Sequence, residues 1–71
     1  MGKIVRRVLD GYITLIEWSP SDVAKVEAAE AIFAREVDNG YMAVDADSNE
    51  PVHKLPVDAE LVIMTTPMGG G

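Results

Sequence analysis

The last five residues, Pro67-Met68-Gly69-Gly70-Gly71, put a carboxylate at the end of three glycines with no side chain beside it. Such an end has two readings. It is a frayed terminus or an expression remnant, or its carboxylate is the working part of the molecule. Other chemistry-bearing residues are sparse. There is no cysteine, which removes disulfides and thiolate metal sites, and the single histidine, His53, builds no zinc site alone. Asp45, Asp47 and Glu50 have a loose calcium-loop look. They lack the glycine and the spaced terminal glutamate of an EF-hand, so they read as a solvated acidic loop. His53-Lys54 reads as an exposed edge. No Ser–His–Asp arrangement, phosphate loop or metal cluster is present, so the chain is expected to be no enzyme, with no catalytic residue, metal or cofactor of its own.

The elements that must carry this end fit one small domain. With 71 residues, 48% of them apolar, the chain buries roughly 60% of its unfolded surface. A core of that size leaves about 3–5 kcal/mol of net stability. The formal charge of -6, from 12 acids against 6 bases, argues against nucleic acid, whose phosphates need cations. It suits solubility and docking on a basic protein surface. No apolar run of about 18 residues offers a membrane span, and "MGKIVRR" lacks a signal-peptide core. A cytoplasmic location is expected.

"KIVRRVL" and "YITLIEW" flank Asp10-Gly11, which predicts a hairpin with a type I′ turn and Leu9 opposite Tyr12. That register puts Val5 with Ile16 on one face and Arg6 with Leu15 on the other. Neither face is cleanly apolar. "SPSDVAKVEAAEAIFAREVDNG" predicts a helix near residues 20–38, capped by Ser19, with Pro20 in its first turn and Asp22 completing a capping-box-like start. Val26, Ala29, Phe33 and Val37 form its core stripe, widened by Val23 and Ile32, and Asn39-Gly40 ends it. "YMAVDA" predicts a strand, "DSNEP" a loop, "VHKL" a short edge strand and "PVDA" a turn. "ELVIMTT" is apolar on both faces, the signature of a central strand. Trp18 and Tyr41 read as packing at the core edge. Arg6 and Arg7 read as charges that discourage edge pairing, or that sit near a partner's acidic face. A final strand parallel to the first, with the helix as a right-handed crossover, makes an α+β roll: a mixed four- or five-stranded sheet with one helix packed across it.

This order resembles the β-grasp, ubiquitin-like superfamily over nearly the whole chain: residues 1–66 as a single β-grasp domain, residues 67–71 as a flexible C-terminal glycine tail. "DAELVIMTTPMGGG" resembles the ends of the small sulfur-carrier proteins of molybdopterin and thiamine synthesis, and of prokaryotic ubiquitin-like proteins. The chain departs from them in ending on three glycines rather than two. Met68 also stands where ubiquitin has a basic residue before its diglycine, so an activating enzyme that selects arginine there would reject this chain.

The resemblance implies that an ATP-dependent activating enzyme adenylates the terminal carboxylate for sulfur carriage or protein conjugation. Gly69, Gly70 and Gly71 would form the activation site, led by Pro67 and Met68. Glycine suits the task because side chains would block the backbone's approach to the nucleotide through a narrow channel. The implied partners are the activating enzyme and an acceptor protein or sulfur-transfer enzyme, with no nucleic acid and no membrane. The competing reading is an acidic, non-covalent protein-binding module, of phage or mobile-element origin, that binds through Asp45, Asp47 and Glu50 and for which the glycines are incidental.

Overall fold

The computed structural model describes residues 1–66; Pro67, Met68, Gly69, Gly70 and Gly71 lie outside the described residues. The elements run β1 (Gly2–Val8), β2 (Gly11–Trp18), α1 (Val23–Asp38), β3 (Met42–Asp45), β4 (Glu50–Val52) and β5 (Val62–Thr65). Five strands make one sheet in the order β2-β1-β5-β3-β4. β5 sits in its middle, parallel to β1 and antiparallel to β3, as expected for the strand with apolar residues on both faces. The helix packs across one face of the sheet. This is the expected α+β roll of β-grasp type, with five strands.

The β1–β2 hairpin forms with a different turn and register. Val8 faces Gly11, so the loop is Leu9-Asp10, and Arg7 pairs with Tyr12. Gly11 takes a positive φ of 146° while Asp10 does not, which rules out the type I′ turn on Asp10-Gly11. Between Ile4 and Val5 the register shifts at a β-bulge, leaving Leu15 without a partner. The bulge has a physical purpose. Without it, Glu17 would fall opposite Gly2 on the core face and Trp18 would point away from it. With it, Ile16 faces Ile4, Trp18 faces Gly2, and Glu17 lies outward beside Lys3. The two faces of β2 exchange at Leu15, which is why neither reads as apolar in the sequence.

The helix begins at Val23, with Asp22 as its N-cap: the Asp22 carboxylate accepts the Lys25 N–H at 3.2 Å. Ser19 is not the cap. Its carbonyl accepts from the Asp22 N–H in the turn before the helix. The chain leaves the helix through Asn39 and through Gly40 at φ 98°. Ala29, Phe33 and Glu36 are the buried helical positions, with Val26 and Ile32 packed beside them. Val23 and Val37 are 70% and 44% exposed, so the stripe runs through Glu36 rather than Val37.

β4 is an edge strand, but it uses Glu50–Val52 rather than "VHKL", and pairs Pro51 with Val44. Proline is tolerated there because an edge residue can turn its missing donor side to solvent. Val57 and Asp58 make the expected turn, closed by the Ala59 N–H on the Pro56 carbonyl at 2.9 Å. Ile4, Trp18, Phe33, Val62 and Met64 build the core with Ala29, Ala43, Leu55 and Ala59. Trp18 lies at its centre rather than its edge. Its indole lies against Gly2, and its Nε1–H donates to the Val57 carbonyl at 2.9 Å.

Candidate functional site

Alternation along the strands assigns the two faces. Ile4, Val62, Met64 and Ala43 point into the core beneath α1. Their neighbours Val5, Ile63 and Val44 therefore point to the face that no helix covers. Pairing places these in one transverse row, Thr14–Val5–Ile63–Val44–Pro51, crossing all five strands. Val5 is 5% exposed yet lies outside the core cluster; its neighbours on the open face cover it. A depression of about 360 Å³ lies here, lined by Lys3, Val5, Tyr12, Thr14, Leu61 and Ile63.

The row toward the end of β5 holds Tyr12 and Arg7 as a pair, and Thr65 with Met42. Tyr12 and Met42 are exposed. A second cleft, of about 580 Å³, is lined by Arg7, Val8, Leu9, Thr65 and Thr66. Thr66 is the last described residue, so this cleft lies at the root of the glycine segment. Leu9, at the hairpin tip, is fully exposed. On the open face of the paired strands the charged side chains are Lys3, Arg7 and Glu17, with Lys3 opposite Glu17. In an acidic chain, the paired strands put two bases and one acid on this face.

Arg6, next to Arg7, points the other way and serves the fold. Its Nε and Nη2 donate to the two carboxylate oxygens of Glu36 at 2.8 and 2.7 Å. Its guanidinium also lies 5.1 Å from the centre of the Tyr41 ring, within cation–π range. β1 lies between β2 and β5, so Arg6 and Arg7 protect no sheet edge. Glu36 is 2% exposed. The hydrogen bonds from Arg6 hold its carboxyl below the usual carboxylate range, against the opposing cost of burial. The sequence reading passed over this pair: Glu36 sits one position before Val37 of the expected stripe, and only the fold buries it so that it requires a cation.

Asp45 is spent on its own turn. Its carboxylate accepts the Asp47 N–H at 2.9 Å and its carbonyl the Asn49 N–H at 2.7 Å, with Asn49 left-handed at φ 58°. Asp47 and Glu50 are exposed, as are His53 and Lys54 after β4. Among the described residues no group of three or more His, Asp or Glu side chains could hold a metal ion, and no helix is long and apolar enough to cross a membrane. The expected activation site, Gly69, Gly70 and Gly71, and its expected lead, Pro67 and Met68, fall outside the described residues. The chain matches no protein-family model, no curated protein and no solved structure.

Proposed function

We propose that this chain is a small ubiquitin-like carrier or modifier of the cytoplasm, a substrate rather than an enzyme, whose glycine end is activated by an ATP-dependent enzyme. The observation that carries the reading is the position of β5. The central strand of the sheet ends at Thr65, with Thr66 alone between it and the segment Pro67-Met68-Gly69-Gly70-Gly71. The folded residues 1–66 therefore lead straight in sequence into an unbranched carboxyl end. The open sheet face, with its Val5–Ile63–Val44 row, offers the partner a docking surface on the strand that leads to that segment.

In the reaction, a Gly71 carboxylate oxygen attacks the α-phosphorus of ATP held by the partner. An acyl-adenylate forms and pyrophosphate leaves. A thiolate or sulfide on the partner then displaces AMP, giving a thioester or a thiocarboxylate. The chain contributes the carboxylate and the docking face, while orientation of the reacting atoms falls to the partner.

The test is incubation with ATP and purified activating enzymes that act on small diglycine carriers, followed by intact mass spectrometry. An adenylate, thiocarboxylate or conjugate at Gly71 is expected, and is lost when residues 69–71 are deleted. An unchanged carboxylate throughout, or activity that survives the deletion, rejects the reading.

A further inference from the structure

We infer that Arg7 is the recognition residue at the root of the glycine segment, and that it receives a carboxylate on the activating partner's surface; the inference rests on the proposed function above. Four observations converge on it. Arg7 is exposed on the open face of β1, beside the end of β5, since the parallel register pairs its neighbour Arg6 with Met64. It lines the cleft of about 580 Å³ together with Thr65 and Thr66, the residues that lead into the glycine segment. Among the described residues the one ion pair is Arg6 with Glu36, and Arg7 meets no carboxylate among them. Residues 67–71 carry no charged side chain, so a cation near the reactive end must come from the folded body.

The surroundings define what Arg7 accepts. Leu9 in the hairpin loop and Tyr12 on β2 just after it are exposed and largely apolar, and Thr65 and Thr66 add hydroxyls to the cleft wall. This combination fits a protein surface that presents an aspartate or glutamate amid apolar side chains. The guanidinium can pair with that carboxylate through two parallel N–H donors. A second copy of this chain is a poor occupant, because each copy carries a charge of -6 and the two would repel. Contact with the partner would exclude water around the pair and align the adjoining end with the nucleotide.

The test compares wild type with Arg7→Glu, Arg7→Lys and Lys25→Glu. Lys25→Glu makes the same charge change on the exposed helix surface. ATP–pyrophosphate exchange is followed with the activating enzyme that adenylates the wild type. Arg7→Glu is expected to raise the KM for the carrier about tenfold or more with kcat nearly unchanged, while Lys25→Glu stays within about twofold. Arg7→Lys keeps the charge and falls between. The wild-type KM should also rise with added salt, and that of Arg7→Glu should rise less. An Arg7→Glu KM equal to wild type overturns the inference, as do equal shifts for both charge reversals, a change confined to kcat, or a salt-independent wild type. If no enzyme adenylates the wild type, the proposed function itself fails and takes this inference with it. An active wild type with an indifferent Arg7 rejects the inference alone.

Discussion

At the scale of single residues, two adjacent arginines of one strand do different work. Arg6 turns inward to Glu36, and Arg7 turns outward to the cleft, because successive strand residues face opposite sides of a sheet. The inward pair makes stability depend on pH with a definite sign. The Glu36 carboxyl sits below its ordinary value of 4.5 in the folded chain. Its contribution is therefore complete above that value and is lost as pH falls below it, through the folded pKa. Replacing Glu36 with Gln should lower the thermal midpoint at neutral pH. It should also flatten the fall of stability in the window below about pH 4.5, which thermal melts across pH would show. A variant whose acid limb matched wild type would contradict this account. Gly2 gives a steric test at the same scale. A Cβ there would collide with the Trp18 ring, so Gly2→Ala should cost about 1–3 kcal/mol, as overpacking does. Denaturant titration followed by Trp18 fluorescence measures it.

At the scale of elements, the sequence carried what depends on local periodicity and hid what depends on pairing. The helix, its end at Asn39-Gly40, the hairpin and the apolar final strand were legible because each rests on neighbours in the chain. The Leu15 bulge was not. Its cause is tertiary: Trp18 has to reach the core against Gly2, and only an extra residue in β2 turns it inward. The same reason displaced β4, whose place is set by pairing with β3 rather than by "VHKL". Glu36 was missed because a glutamate in the last turns of a helix looks solvated until Arg6 arrives from another element. The N-cap offers a clean test, since the sequence points to Ser19 while in the fold Asp22 binds the orphan N–H. Asp22→Ala should cost about 1 kcal/mol, and Ser19→Ala a few tenths, by chemical denaturation. The reverse ranking would move the helix start.

For the whole molecule, the two faces of one central strand separate stability from recognition. Met64 is fully buried and Ile63 points to the open face. Truncating a buried methionine to alanine costs about 2–5 kcal/mol, comparable with the roughly 3–5 kcal/mol a core of this size supplies. Met64→Ala should therefore be largely unfolded by circular dichroism at 37 °C. Ile63→Ser should stay folded and lose affinity for the activating enzyme; a folded Met64→Ala with an unfolded Ile63→Ser would reverse the assignment of faces. The glycine segment was legible as a motif, and the cleft at its root was not, because that cleft exists only where β1, β5 and the Leu9 turn converge. The most direct measurement is intact mass spectrometry of the full chain after incubation with ATP and purified activating enzymes. The account predicts an adenylate or its sulfur derivative on Gly71. A carboxylate that stays unmodified while those enzymes activate their own carriers would contradict it.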